Sequence, residues 1–381
     1  MQLLCASGPL IQLEEVFLTK RLLLTEPFTT VVEEVPVPEP KPGEALIRVE
    51  CVGVCGTDVR SWMGRHAFTT YPRVMGHEVS GTVVKLAGDP APCCAASGRC
   101  QAAPAPAASR AAGPTAPSIR EGDVVVVEPY AACGKCYPCS IGRYNCCQNL
   151  QVMGVHRDGA MQEYICVPVS MLHKAPQNRS FVELSFVEPA GIGMHAIGRS
   201  RLQAGDTAAV IGAGNIGLLM IQILKARGAK VIAVDVKESR LDLARKLGAD
   251  ITVNSTTDDP VKASLEFTGG VGAPVVFEVV GAVPTINLAL QLVSYAGQIV
   301  LVGVCPDELC LHPELLNKRE LDILGSRNSR GVFPGVLELV GKGALSTEAL
   351  VSRKITVDEF DQTMKDVTSG SRDEIKIVVQ F

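Results

Sequence analysis

Thr207-Ala208-Ala209-Val210-Ile211-Gly212-Ala213-Gly214-Asn215-Ile216-Gly217 is an apolar, strand-like run that breaks into three spaced glycines and resumes as a helix-forming segment reaching about Arg227. The glycines stand as G-x-G-x-x-G. Directly after a strand, Gly212 permits a tight turn, Gly214 lets backbone approach a pyrophosphate, and Gly217 lets the helix pack close to the sheet. The helix start, with Asn215 and Ile216, then receives the phosphates. A second strand-like run ends at Asp235, 21 residues after Gly214. A carboxylate there accepts hydrogen bonds from an adenosine ribose and repels a 2′-phosphate, so NAD is the expected cofactor. Lys237 and Arg240 follow; Arg240 is a cofactor-binding candidate and both keep NADP in view, although the expectation for each is a surface charge at a helix start.

Working outward, strands are expected at 207–211, 230–235, 251–254, 275–279, 298–302 and 321–324, with helical stretches between most of them. Six strands with crossovers predict a doubly wound parallel sheet, so the fold class is α/β. Before about Gly191 the rhythm differs. Short β-like runs such as 45–54, 79–85 and 123–128, broken by Gly and Pro, predict an irregular, mostly antiparallel domain. The chain therefore divides into an N-terminal extension (1–17), a mostly β catalytic domain (18–191), a nucleotide-binding domain (192–330), and a C-terminal segment (331–381) that ends in a strand at 375–380 and rejoins the first domain. Residues 90–117, of which 17 of 28 are alanine or proline, read as a disordered surface insertion, and Cys93, Cys94 and Cys100 within it as exposed thiols.

Composition narrows the function classes. The 381 residues are 47% hydrophobic and 20% charged, with a formal net charge of -4, and no lysine or arginine cluster offers a phosphate-tracking surface, so nucleic acid is excluded as a partner. No apolar run matches a membrane span, and the opening residues lack a basic start and meet Glu14 and Glu15, which reads as cytoplasmic.

Five cysteines fall between residues 133 and 147. Four of them, Cys133, Cys136, Cys139 and Cys147, are spaced C-x2-C-x2-C-x7-C on a turn-rich stretch, the lobe 129–150. Thiolates so arranged converge on one tetrahedral ion and leave it no open position, which describes a structural zinc site. Disulfides are the alternative, but cysteines two apart are poorly placed to bridge one another. Cys146 is expected to be a buried bystander. A second site assembles from distant residues. Cys55 lies in Cys55-Gly56-Thr57-Asp58, and 22 residues after it comes Gly76-His77-Glu78. A thiolate, an imidazole and a carboxylate suit zinc, and three protein ligands leave a position open for substrate. Glu188, in Val187-Glu188-Pro189-Ala190, sits just before the change of rhythm and either ligates the metal or holds its water.

The order C-G-T-D, G-H-E, four-cysteine lobe, Glu-Pro and G-x-G-x-x-G with a distal aspartate resembles the zinc-containing medium-chain dehydrogenases of the alcohol dehydrogenase superfamily. The likeness runs from about Leu22 to Phe381, the alanine-proline insertion apart. Within the superfamily the chain is similar to the polyol, sorbitol and threonine dehydrogenase branch, and most to sugar-acid enzymes of the L-galactonate 5-dehydrogenase type, through Tyr71-Pro72-Arg73-Val74-Met75-Gly76-His77-Glu78, Gly154-Val155-His156 and Gly325-Ser326-Arg327-Asn328. The resemblance implies a GroES-like catalytic domain around a Rossmann domain, with two zinc ions per chain and NAD. The catalytic zinc would be held by Cys55, His77 and either Glu78 or Glu188, and the structural zinc by the four lobe cysteines. Asp58 would act on His77 from behind, and Thr57 would touch the substrate hydroxyl. Arg60 departs from the pattern, because many relatives carry a relay histidine there. His156, Arg327 and Asn328 are the substrate candidates, and a homo-oligomer, dimer or tetramer, is expected. The leading reading is oxidation of a secondary alcohol on a sugar acid or polyol. Its rivals are amino-alcohol oxidation of the threonine dehydrogenase sort, sorbitol or L-iditol oxidation, and a nucleotide-binding sensor without turnover, against which the open zinc site counts.

Overall fold

The computed structural model describes residues 17–88, 118–370 and 373–381. The extension before Phe17 and the alanine-proline segment, with Cys93, Cys94 and Cys100, lie outside the described residues. The nucleotide-binding half is a six-stranded sheet in the order Ile251–Asn254, Lys230–Asp235, Thr207–Ile211, Ala273–Glu278, Val293–Leu301, Asp322–Gly325, every neighbouring pair parallel. The chain order reverses beside Thr207–Ile211, and the fingerprint loop leaves that strand at the switch point where such sheets take ligands. Four of the five residues of this strand are buried, because helices cover both faces of the sheet. The first three strands lie at the expected residues. The Val293–Leu301 strand starts five residues before the expected 298, because an irregular segment, with Ala296 at φ 53°, is inserted between its pairing with Ala273 and its pairing with Val275. No alternating pattern marks such a bulge in the sequence.

Helix Asn215–Ala226 follows the loop and is buried along most of its length. Gly212 adopts φ 102°, and a Cβ on Gly217 would overlap the Gly212 carbonyl oxygen, so a side chain at position 217 would push the helix off the sheet. Helices Val187–Arg199 and Phe333–Gly341 join Asn215–Ala226 in one hydrophobic cluster with the inner sheet residues Val210, Phe277 and Val300.

The other half is built on Glu44–Val54. One edge of this strand pairs with Glu78–Leu86 along nearly its whole length. The opposite edge is divided: residues 44–48 pair with Tyr164–Pro168, and residues 51–54 pair with Lys376–Gln380. The C-terminus of the chain is thereby stitched beside the end of the strand that delivers Cys55. Val351–Ile355 extends the same sheet, and Trp62, Met75, Phe360 and Met364 are among the residues of its core. No helix among the described residues is long and apolar enough to cross a membrane.

Candidate functional site

Cys55 ends the Glu44–Val54 strand and caps the short helix Gly56–Trp62, while His77 directly precedes Glu78–Leu86. One buried carboxylate ties the two segments together. Asp58 Oδ2 accepts from the Cys55 backbone N–H at 2.9 Å and Asp58 Oδ1 from the Gly76 N–H at 3.2 Å, with His77 Nδ1 3.9 Å from Oδ1. The result brings one ligand atom each of Cys55, His77 and Glu78 within 4.8 Å of one another. Thr57 is half-buried in the first turn of the helix, and Arg60 is exposed near its end.

Glu78 pairs across the sheet. It stands opposite Gly53, and its Oε2 accepts from the ammonium of Lys376 on the strand at the far edge of Glu44–Val54, at 2.5 Å. A Cβ at Gly53 would overlap Glu78 Oε2, so the missing side chain is what opens the passage over the central strand. Lys376 also donates to the Val54 carbonyl oxygen at 3.1 Å and lies 6.0 Å from the centre of the Phe186 ring. Glu188 sits in the first turn of helix Val187–Arg199, where its Oε1 accepts from the Tyr130 hydroxyl at 2.5 Å. It is not within the 4.8 Å grouping. Burial pushes the Glu188 carboxyl above its ordinary range and the Glu78 charge adds to this, against the pull of His77 and the Tyr130 hydroxyl. Burial would push His77 down, but Asp58, Cys55 and Glu188 outweigh it and raise its proton affinity well above the usual. Three buried carboxylates and a thiol thus face one lysine and one imidazole, a donor set short of positive charge and suited to a divalent cation.

The lobe cysteines fit a closed metal site. Their sulfurs all lie within 4.8 Å of one another, with Cys136 Sγ 3.4 Å from Cys139 Sγ and 3.8 Å from Cys147 Sγ. Those separations match the edge of a zinc tetrahedron, about 3.8 Å for Zn–S bonds of about 2.3 Å, and all four are free thiols. Backbone N–H groups of Lys135 and Cys136 lower the Cys133 thiol to about 6, those of Gln148 and Cys139 lower Cys136, and Cys147 Sγ accepts from the N–H groups of Cys133 and Asn149. Burial instead pushes Cys139 up to about 12, a thiol that needs the ion to ionise. Cys146, expected to be buried, is half-buried in the turn Tyr144–Cys146 and outside the sulfur cluster.

At the fingerprint, Asp235 Oδ2 accepts from the Ala213 N–H at 2.7 Å, and its Oδ1 from the N–H groups of Val236 and Lys237. The carboxylate is held against the fingerprint loop. Lys237 is exposed at the helix start as expected, whereas Arg240 is drawn inward. Both bind Asp373, and only 15% of the Arg240 side chain is exposed. Asn215 caps no one, and its side-chain oxygen is buried without a partner. His156 is half-buried, and its Nδ1 accepts from the Val152 N–H at 3.1 Å, leaving Nε2 for another partner. Burial, Arg327 and Arg73 all lower its proton affinity, so both guanidinium groups lie within electrostatic reach. Arg327 is exposed, while Asn328 takes φ 49°. Reading the sequence missed Lys376, Tyr130 and Asp373. A lysine inside the apolar run Ile375-Lys376-Ile377-Val378-Val379 was the one local signal for the first; the other two depend on tertiary placement.

Comparison with known proteins agrees with this geometry. Residues 41–101 and 109–177 match the alcohol dehydrogenase GroES-like domain, and residues 215–342 match the zinc-binding dehydrogenase family. The chain is 36% identical to an uncharacterized zinc-type alcohol dehydrogenase-like protein of Haemophilus influenzae over 95% of its length and 98% of the relative's. It is 31% identical to the L-galactonate-5-dehydrogenase of Escherichia coli K12, covering 94% and 98%. Among solved structures, a Sinorhizobium meliloti 1021 dehydrogenase bound to NADP superposes with a TM-score of 0.82 at 30% identity, over 96% of this chain and 100% of that one. An Escherichia coli CFT073 alcohol dehydrogenase complexed with NADH gives 0.82 at 28% identity, over 96% and 99%.

Proposed function

The chain belongs to the zinc-type medium-chain alcohol dehydrogenases, NAD(P)-linked oxidoreductases of alcohols, and on that premise we propose that it oxidises a secondary alcohol of a sugar acid, with NAD as acceptor. The observation that carries the substrate class is Arg327, a cation without an ion-pair partner among the described residues, within electrostatic reach of His156. An unpaired guanidinium within electrostatic reach of an imidazole with a free nitrogen favours a carboxylate-bearing polyol over a neutral one. Cys55, His77 and Glu78 hold the catalytic zinc in this reading, and Cys133, Cys136, Cys139 and Cys147 hold the second.

A zinc held by Cys55, His77 and Glu78 would supply acidification of the substrate hydroxyl, and a bound nicotinamide would supply the hydride acceptor. The chain's own residues do the rest. Asp58 fixes the backbone on both sides of the ligand pair, so Cys55 and His77 keep their spacing without substrate. Thr57 receives the substrate proton on its hydroxyl. Arg60 offers a guanidinium, which has donors and no acceptor and cannot relay that proton, so Glu188, held by Tyr130, is the base that accepts it through water. Asp235 positions the adenosine ribose.

The test is an initial-rate screen of aldonates including L-galactonate, neutral polyols including sorbitol, and L-threonine, each with NAD, on wild type and Arg327→Met. An aldonate should be the best substrate, with its KM raised roughly tenfold or more in the variant and neutral polyols unaffected. A neutral polyol or L-threonine oxidised faster than every aldonate, with no effect of the substitution, would remove the sugar-acid reading.

A further inference from the structure

Three donors at the adenosine end of the nucleotide site converge on one carboxylate brought from 133 to 136 residues away. Asp373 Oδ1 accepts from Lys237 Nζ at 2.8 Å and from Arg240 Nε and Nη2 at 3.1 and 2.8 Å, while Oδ2 accepts from Ser239 Oγ at 2.6 Å. Arg240 Nη2 also donates to the Glu374 carbonyl oxygen at 2.8 Å. Lys237 and Ser239 lie at the start of helix Glu238–Lys246, two and four residues beyond Asp235. The group touches the fingerprint, because Arg240 Nη1 lies 3.7 Å from where a Cβ on Gly214 would sit. Asp235 in turn grips the Ala213 N–H.

An ammonium, a guanidinium and a hydroxyl aimed at one point form the donor set that proteins use for a phosphate monoester. Here the point is filled by a side chain of the chain itself. Among the described residues, the group sets two cations, Lys237 and Arg240, against the carboxylates of Asp235 and Asp373. A doubly charged phosphate entering this group would have to compete with Asp373 for Lys237, Ser239 and Arg240, against two negative charges. With Asp373 absent, Lys237, Ser239 and Arg240 would lose their shared anionic partner beside Asp235.

We propose that Asp373 is a specificity-determining residue, an internal stand-in for the 2′-phosphate of NADP that occupies Lys237, Ser239 and Arg240 and so holds the enzyme to NAD. The proposal rests on the reading of the chain as an NAD-linked dehydrogenase. The coenzyme choice is then set by two carboxylates from opposite ends of the fold: Asp235 repels the extra phosphate, and Asp373 withholds the groups that would bind it.

The experiment is calorimetric titration of the full-length, zinc-loaded protein with 5′-AMP and with adenosine 2′,5′-bisphosphate, on wild type, Asp373→Ala and the double variant Asp373→Ala/Arg240→Met. Wild type should bind 5′-AMP at least tenfold more tightly than the bisphosphate. Asp373→Ala should tighten the bisphosphate tenfold or more and leave 5′-AMP within about twofold, and the double variant should lose that gain. The kcat/KM ratio for NADP over NAD should rise in parallel. An unchanged bisphosphate affinity in a folded Asp373→Ala protein, or a gain that survives loss of Arg240, overturns the proposal while leaving the dehydrogenase reading intact. Wild type that binds neither nucleotide overturns that reading and the proposal with it.

Discussion

Lys376 Nζ meets Glu78 Oε2 across the backbone of Gly53, and both side chains are shut off from solvent. The two residues stand 298 positions apart in the chain, so the pair exists only once the last strand has docked. Removing one member of a buried ion pair typically costs about 3–5 kcal/mol, because the other charge stays behind unpaired. Lys376→Met should therefore destabilise the protein strongly. A bound divalent ion supplies part of the missing positive charge, so the loss should be clearly smaller in zinc-loaded protein than after chelation. Urea unfolding of wild type and variant in both states measures this, and equal losses would show that Lys376 does not balance the metal site.

Polar contacts such as Asn145 to the Arg327 carbonyl and Arg330 to the Gly142 carbonyl tie the lobe to its surroundings, but apolar burial contributes little. Its buried hydrophobic cluster consists of Tyr130, Cys139, Cys147 and Leu150, too few apolar side chains to order such a loop alone. Cys136→Ser should lower the zinc content by one ion per chain, drop the thermal midpoint by about 5 °C or more, and expose the lobe to proteases. Turnover per folded, loaded active site should change little. Elemental analysis, a thermal melt and limited proteolysis decide it; full zinc retention would mean the four sulfurs are not a metal site.

The parts of the molecule legible in its sequence are those whose physics is local. Thr207–Ile211, Lys230–Asp235 and Ile251–Asn254 are short apolar runs between turn-forming residues, and they lie at the residues expected. Cys55, His77 and the lobe cysteines announce themselves because few residue types bind zinc and their spacing is conspicuous. The bulge before Gln298 was invisible, since Ser294 to Gly297 carry no pattern of their own. The partners of Lys376 and Asp373 were hidden for a different reason. Either residue acts through a partner more than 130 residues away, and no spacing rule connects them. A charged residue inside an apolar strand points to a buried counter-charge, but only the pairing of Ile377 with Val54 identifies Glu78 as that charge.

His195 gives the fold a pH dependence of its own. It is buried on helix Val187–Arg199, with its Nε2 3.3 Å from Asn145 Nδ2, an arrangement suited to the neutral ring. Burial, with Arg330, Arg199 and Arg143 adding to it, lowers its pKa from 6.5 to about 4. Between those values the unfolded chain binds the proton and the folded one does not, so stability falls as pH drops from about 6.5 towards 4 and rises in the other direction. The contribution is at most about 3 kcal/mol. Stability measured by urea titration at several pH values should decline more steeply through this window in wild type than in His195→Asn. Parallel profiles would place the His195 proton equilibrium at its ordinary value.

The division of labour proposed for the two metal sites can be tested with every proposed zinc ligand left in place. Glu188 accepts its hydrogen bond from Tyr130 through one oxygen, so glutamine keeps the shape and an acceptor for the hydroxyl while removing the charge. Glu188→Gln should therefore melt within about 2 °C of wild type, retain both zinc ions and bind NAD normally, yet lose on the order of 100-fold in kcat because the proton acceptor is gone. Tyr130→Phe leaves the charge but frees the carboxylate from its tether. Its turnover should fall less, about tenfold, since the base is present and only its placement is relaxed. Loss of one zinc in Glu188→Gln would instead make Glu188 a ligand and displace Glu78 from that role. A variant that melts as poorly as Cys136→Ser while turning over normally would make Glu188 a structural residue, and the proton route through it would fail.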